Sequence, residues 1–169
     1  MPRAGLTGDD VVASAAGLAD EIGFGAVTMG LLAERLGVRP PSLYKHVASL
    51  ADLQHRVATL AMTEFGEVIR DAVQGRAGFD ALAAMLTAAR GYVTAHPGRY
   101  TATTGAEFAG PDDPLLAAGT RVINSIAAAM PSGLGTVAMI EGAGHYPHAQ
   151  TPDEVAALVI PFLKEHAGA

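Results

Sequence analysis

Residues 28–53 concentrate basic, hydroxyl-bearing and aromatic side chains of the kind that contact nucleic acids. Arg39, Lys45 and His46 surround what reads as the second of two short helices. Two compact helices joined by a glycine-containing turn form a helix-turn-helix, which places its second helix in the major groove of DNA. The chemistry that we expect of this stretch is contact with phosphates and with base edges.

Local sequence signals define the elements that must position these side chains. Thr28 is suited to begin the first short helix, because its hydroxyl can accept a backbone N–H that has no partner within the helix. Gly37 suits the turn, and Pro40 suits the first turn of the second short helix, where a missing N–H costs little. An amphipathic helix over Thr7–Ile22 precedes this pair, and Ser49 is expected to cap a long helix that follows it.

Four side chains are predicted to face the sugar-phosphate backbone of DNA. The Thr28 hydroxyl and the free N–H groups of the helix behind it can meet a phosphate. Tyr44 and Lys45 follow the expected core residue Leu43 and should point outward. His46 has two interpretations, a phosphate contact or a neutral imidazole packed against the preceding helix.

Three further residues stand at the start of the second short helix, the end that enters the groove. Arg39 is predicted either to pair with guanine or to contact a phosphate, and Pro41 can touch a thymine methyl group. Ser42 lies at the same end of the helix. Together with the four residues above, these three make up the predicted DNA-binding site.

Composition limits the other possibilities. The 169 residues are half apolar, rich in alanine and poor in aromatics, which favours a mainly helical fold with a real core. The absence of cysteine excludes disulfides, a cysteine nucleophile and a thiolate metal site. The net charge is −6, and residues 1–60 hold five basic and six acidic side chains, so DNA contact must depend on where the charges lie. With no recognisable signal peptide or membrane-spanning run, we expect a cytoplasmic protein.

Breaks in the helical periodicity divide the chain into three predicted domains. Residues 1–48 form the helix-turn-helix domain, residues 49–130 a truncated helical regulatory domain, and residues 131–169 a tail of different character. In the second domain, a helix is expected to begin after the break at residues 76–78. The apolar face predicted for that helix consists of Phe79, Leu82, Leu86, Ala89 and Val93.

The order of these elements resembles the tetracycline-repressor (TetR) family of transcriptional regulators over residues 7–126. The residues that carry the resemblance are Val27, Thr28, Leu32, Ala33, Leu36, Gly37, Val38, Leu43, Tyr44, Lys45, His46, Val47 and Leu53. Val47 replaces the usual Phe of that family, and Arg39 stands where a small capping Ser is common. The resemblance implies a sequence-specific regulator that binds double-stranded DNA as a homodimer.

The same resemblance implies control by a small apolar effector bound in the helical regulatory domain. Such a molecule would shift the separation of two DNA-reading domains. The pocket candidates, for each of which plain core packing is the alternative, are Leu60, Phe65, Leu86, Tyr92 and Phe108.

The tail carries a second resemblance. Residues 136–140 predict a short buried strand, which is followed by the loop Gly142–His145 and by a helix that begins at Pro152. This order resembles the C-terminal end of an α/β-hydrolase, in which His145 matches the general base. No Gly-x-Ser-x-Gly elbow lies upstream to supply the nucleophile, so we expect no catalytic residue and no enzyme activity. His145 and His148 lack a third ligand, so no metal and no other cofactor is expected.

The two resemblances together predict a regulator fused to the end of a hydrolase, with the junction within residues 126–136. A rearrangement between neighbouring genes or a made chimera would both give such a chain. The tail takes the place of the two helices that usually build the dimer interface, which puts the implied homodimer in question. Two alternatives stay open: an esterase-like relative of the hydrolases that lacks its nucleophile, and a fusion product without function.

Overall fold

The structure, a computed structural model, describes residues 6–129, 153–157 and 161. The chain forms two compact units, Met1–Leu134 and Gly135–Ala169. In the second unit, residues 153–157 are helical, as expected for the last predicted helix. The predicted strand at residues 136–140 and the loop with His145 and His148 lie outside the described residues.

Every regular element of the described residues is a helix, which confirms the mainly helical fold class. A short 3-10 turn at Phe24–Ala26 separates the first two helices. The helices of the first unit are α1 (Gly8–Ile22), α2 (Met29–Leu36), α3 (Pro40–Leu43), α4 (Leu50–Val73), α5 (Gly78–Ala95), α6 (Pro97–Thr104) and α7 (Pro114–Ala129). None of these helices combines the length and the apolar character that crossing a bilayer requires.

Side-chain caps begin three of these helices. Thr7 accepts the N–H of Asp10 at 3.1 Å, and the Asp10 carboxylate in turn accepts the Thr7 N–H at 2.9 Å, a reciprocal capping box that begins α1. Thr28 caps α2 and Ser49 caps α4. The three predicted helix starts are therefore confirmed, because each depends on groups only three residues apart.

The three helices α1 to α3 and the first half of α4 enclose the core of the N-terminal domain. Leu32, Leu43 and Leu53, which come from α2, α3 and α4, are fully buried there. Burying each such side chain contributes roughly 1.5–3 kcal/mol by the hydrophobic effect. The rest of α4 packs against α5, α6 and α7, so α4 belongs to both halves of this unit.

The predicted apolar face of α5 is wrong at two of its five positions. Phe79 is 82% exposed and Leu86 is 58% exposed, whereas Leu82, Ala89 and Val93 are half-buried. The fully buried residues are Ala81 and Tyr92, and the Tyr92 hydroxyl donates to the Ala61 carbonyl of α4 at 3.1 Å, which holds the side of α5 that carries Tyr92 inward. Because α5 is apolar on most sides, its periodicity alone does not select the buried face.

The start of α6 lies against the end of α1. A β-carbon placed on Gly98 would collide with the backbone of Ala19 and Asp20, and Gly98 is itself buried. Only a residue without a side chain allows the two backbones to approach this closely. Gly98 is therefore a packing requirement at the point where α6 meets the N-terminal domain.

Replacement of Gly98 by alanine should lower the free energy of unfolding by about 1–3 kcal/mol, because the added carbon meets backbone that cannot rotate away. The matched control is Gly91→Ala on the open side of α5, where no atom lies within 4 Å of the new β-carbon. That substitution should stabilise the protein by about 0.5–1 kcal/mol through higher helix propensity. Urea unfolding followed by circular dichroism measures both changes, and equal effects of the two variants would contradict the close approach.

Candidate nucleic-acid interface

Thr28 is the N-cap residue of α2, and its side chain caps the N-terminus of that helix. Its hydroxyl oxygen accepts the N–H of Leu31 at 3.2 Å, and the residue is exposed. The hydroxyl hydrogen stays available to donate to an external acceptor. This is the geometry at a helix start that binds an anion such as a phosphate.

Gly37 forms the turn between α2 and α3. Its backbone is left-handed, with φ 66° and ψ 30°, and the Val38 N–H reaches back to the Ala33 carbonyl at 3.0 Å. This hydrogen bond and the left-handed Gly37 form a Schellman motif at the C-terminus of α2. No atom lies within 4 Å of a β-carbon placed on Gly37, so the requirement for glycine comes from the backbone alone.

The second short helix is shorter than a usual recognition helix. It comprises Pro40–Leu43, and the chain continues in turns in which the N–H groups of His46 and Val47 donate to the Leu43 carbonyl at 2.9 and 3.1 Å. Leu43 and Val47 are buried as expected. These two anchors fix the intervening residues 44–46 at the surface of the domain.

The predicted DNA-binding residues differ in exposure. Tyr44 is 55% exposed, and Ser42 and His46 are half-buried. The other four residues are exposed, namely Thr28, Arg39, Pro41 and Lys45. We call the five exposed residues, Tyr44 and these four, the α3 surface.

Two arginines near the α3 surface are already engaged. Arg35 forms two hydrogen bonds of 2.7 Å with the Glu21 carboxylate, which lowers the pKa of Glu21 and ties α2 to α1. Arg56 contacts Asp52 at 2.9 Å and donates to the His46 carbonyl at 3.2 Å. These arginines hold the scaffold together and are less available to an external anion.

Arg39 and Lys45 have no ion pair within the described residues. Arg39 precedes α3 without capping it by its side chain, and Lys45 lies in the turn that follows. Unpaired, exposed cations can neutralise phosphates and release the counterions held by DNA. The α3 surface thus offers two cations, a hydroxyl and a phenol to a nucleic acid.

His46 lies near the start of α1. Hydrogen bonds from the Thr7 hydroxyl and amide lower the pKa of Asp10, and His46 adds a smaller electrostatic contribution in the same direction. His46 is half-buried, which is compatible with either interpretation of its role. Both interpretations stay predictions.

The contact between Asp52 and Arg56, which supports the turn after α3, was not predicted from the sequence. The Ala48 N–H donates to Asp52 at 2.8 Å, and this bond, followed by the contact with Arg56, lowers the pKa of Asp52. Through its bond to the His46 carbonyl, Arg56 then fixes the backbone beside Lys45. The Ser-x-x-Asp cap and the spacing of four between Asp52 and Arg56 were the available signals.

Of the residues suggested for an effector pocket, Leu86 and Phe108 are exposed, Leu60 is half-buried, and Phe65 and Tyr92 pack against each other with ring centroids 5.5 Å apart. None of the five lines the groove of about 430 Å³ between α4 and α7, whose lining residues are Thr63, Gly66, Glu67, Arg70, Ala118, Arg121, Asn124, Ser125 and Ala128. This lining exposes more apolar than polar surface. Within the described ranges, no three His, Asp or Glu side chains meet as metal ligands would.

The family of bacterial regulatory proteins named tetR matches residues 11–56, the stretch from α1 into α4. The chain is also similar to the uncharacterized HTH-type transcriptional regulator Rv0681 of Mycobacterium tuberculosis, with 38% identity over 116 residues, 69% of this chain and 53% of the relative. It is 34% identical over 101 residues to the uncharacterized HTH-type transcriptional regulator YobS of Bacillus subtilis, 60% of this chain and 53% of that protein. The chain thus spans about half the length of these curated relatives.

A crystal structure of a possible TetR family transcriptional regulator from Streptomyces coelicolor A3(2) has a similar fold. The TM-score is 0.52 at 22% identity, and the match covers 91% of this chain and 68% of that chain. The predicted α/β-hydrolase origin of the tail gains no support from any of these matches.

Gly37→Ala should cost about 1–2 kcal/mol of stability, because a side chain strains a left-handed backbone. Gly25→Ala is the control, since Gly25 has equally open space around it and lies outside the left-handed region. Thermal unfolding compares the two variants. A loss at position 25 as large as that at position 37 would show that the turn conformation is not what constrains Gly37.

Proposed function

We propose that this protein is a DNA-binding transcriptional regulator of the TetR type, and that the α3 surface contacts double-stranded DNA. The observation that carries the proposal is the pair Arg39 and Lys45, exposed and without ion pairs in the described residues, within the segment that matches the tetR family. Both relatives are named HTH-type transcriptional regulators, which supports the same function.

Position and chemistry suggest a division of roles across the α3 surface. Thr28, Tyr44 and Lys45 are assigned to the sugar-phosphate backbone, because a capped helix start, a phenol and an ammonium group suit phosphate oxygens. Arg39 and Pro41, with the half-buried Ser42 behind them, are assigned to the groove. His46 supports this surface through its carbonyl bond to Arg56 and adds a phosphate contact through its exposed edge.

Local charge, rather than total charge, makes DNA binding feasible. The chain carries a net charge of −6. The carboxylates Glu21 and Asp52 near the interface are each engaged with an arginine, so their negative charge is partly offset. Binding should therefore rest on few phosphate contacts, and the slope of log K against log salt should be correspondingly shallow.

The effector and the homodimer form part of the same proposal. A dimer would present two α3 surfaces to two half-sites, and a ligand that changes their separation would change DNA affinity. The groove between α4 and α7 is lined by more apolar than polar surface and also contains Glu67, Arg70 and Arg121, so it suits a ligand with an apolar body and a few polar groups. No described residue favours the esterase-like alternative, and the fusion origin of the tail stays a prediction from sequence.

Lys45→Ala should weaken binding to every DNA sequence and reduce the slope of log K against log salt by about 1, because one phosphate contact is lost. Fluorescence anisotropy with a labelled duplex of random sequence at several salt concentrations measures this slope. Arg70→Ala is the control, since Arg70 is an exposed arginine near the far end of α4 that pairs with Asp71. A slope change of equal size in both variants, or in neither, would refute the assigned role of Lys45.

Arg39→Ala should instead relax the preference at one base position, at a cost of roughly 1–3 kcal/mol on the preferred sequence. Selection of duplexes from a random pool by wild type and by the variant, followed by sequencing, compares the two preferences. Loss of information at a single position supports a contact between Arg39 and a base. A uniform loss of affinity with an unchanged preference would assign Arg39 to a phosphate.

A further inference from the structure

A second groove lies where the helix-turn-helix domain meets the helices behind it, and the proposed DNA contacts do not use it. Its volume is about 320 Å³, at the small end of the range for ligand sites. Its walls come from the 3-10 turn between α1 and α2, from the first turns of α4, and from the end of α6 with the loop that follows. We call it the His55 groove, and its walls include Phe24, Ala51, Gln54, His55, Ala106 and Glu107.

The His55 groove combines apolar surface with a few hydrogen-bonding side chains. More of its lining is apolar than polar, and Phe24, Ala51 and Ala106 contribute to the apolar part. Gln54 and His55, at consecutive positions of α4, supply hydrogen-bonding groups. Apolar walls with a small number of fixed polar groups are typical of sites that bind small organic molecules.

A buried carboxylate fixes the orientation of the His55 ring. The Asp113 side chain is fully buried, and its Oδ1 lies 2.9 Å from Nε2 of His55. The N–H groups of Ala109 and Leu115 donate to the same carboxylate at 2.6 and 2.8 Å, and although burial alone would raise the pKa of Asp113, these bonds lower it. Because an ionised carboxylate only accepts hydrogen bonds, Nε2 carries the proton, and Nδ1 is left for a ligand.

The charge around the His55 groove is negative. Glu107 is exposed and has no ion pair among the residues that the structure describes. No arginine or lysine is among its described lining residues. Even a protonated His55 balances only one of the two carboxylates, Glu107 and Asp113, so the excess charge is negative in either state of the ring. A cation is therefore the ligand whose charge complements this groove.

We propose that the His55 groove binds a small organic cation, an ammonium group carried on a compact apolar body. Glu107 pairs with the ammonium group, whose remaining N–H groups are donated to the side-chain oxygen of Gln54 and to Nδ1 of a neutral His55. The apolar body packs against Phe24 and Ala51. This site differs from the groove between α4 and α7, with which it shares no lining residue.

The position of the His55 groove links the bound cation to DNA binding, an effect that rests on the proposed function. Phe24 belongs to the helix-turn-helix domain, whereas Glu107 follows α6, so one ligand contacts both. These contacts stabilise the arrangement of the two parts that the ligand binds best. The cation should therefore change the affinity of the α3 surface for DNA.

Titration of the full chain with phenethylammonium, followed by two-dimensional NMR of its amide groups, tests the site directly. Phenethyl alcohol is the uncharged analogue of the same shape. The ammonium compound should bind more tightly than the alcohol and should shift the signals of the Gln54 side chain and the Gly105 backbone. Glu107→Gln should weaken binding of the ammonium compound by about three- to fivefold, as expected for a partly exposed ion pair, and leave binding of the alcohol unchanged.

Glu67→Gln is the matched control, since Glu67 is also an exposed carboxylate but lines the groove between α4 and α7. It should leave both affinities unchanged. Ala51→Leu, which narrows the His55 groove at an exposed position of α4 without altering a charge, should weaken both compounds. Equal affinities of wild type for the two compounds, an equal loss in Glu67→Gln and Glu107→Gln, or binding unaffected by Ala51→Leu would each overturn the proposed site.

These titrations contain no DNA, so their result is independent of the proposed function. Failure of Lys45→Ala to change the salt dependence would count against DNA binding by the α3 surface and would leave the cation site untouched. Where both hold, phenethylammonium should change the DNA affinity of wild type and should have a smaller effect on Glu107→Gln at the same concentration.

Discussion

The attachment of α6 to the end of α1 is the constraint on which the arrangement of this unit depends. Asp20 and Glu21 stand in the last turn of α1, where the helix dipole disfavours negative charge. Each is compensated by another helix, Glu21 by Arg35 of α2 and Asp20 by the start of α6. Two locally unfavourable residues thus become the points that fix α2 and α6 onto α1, and such departures from local rules commonly mark tertiary or functional constraints.

Features that depend on residues close together in the sequence were predicted, whereas features that depend on residues far apart in the sequence were not. The caps at Thr7, Thr28 and Ser49 and the left-handed Gly37 depend on groups within a few residues, and all four are found where expected. The buried face of α5 depends on Tyr92 reaching α4, a contact across 31 residues that periodicity does not contain. The contacts of Asp20 with His96 and Arg99 join residues 76 and 79 positions apart in the sequence, and no sequence motif predicts them.

The sequence predicted the helix-turn-helix that carries the α3 surface, because that motif is a local structure, but it did not predict which cations are paired. The contact of this surface with DNA stays a prediction. Which cations are open to a ligand depended on pairing: Arg35 and Arg56 are engaged in the scaffold, whereas Arg39 and Lys45 have no ion pair within the described part of the chain. An acidic chain can therefore present unpaired cations at one place, while carboxylates such as Glu21 and Asp52 are paired with other arginines.

Polar contacts add to the apolar core in holding α4 between the two halves of the unit. Near its start, His55 contacts Asp113 at 2.9 Å, and Asp113 is itself fixed by the N–H groups of Ala109 and Leu115. Burial alone would raise the pKa of Asp113, but those two N–H groups and His55 lower it, so the contact keeps its negative charge. Further along, Glu64 binds Arg99. Hydrogen bonds and ion pairs have narrower geometric requirements than apolar contacts, so these contacts define the position of α4 relative to the helices around it.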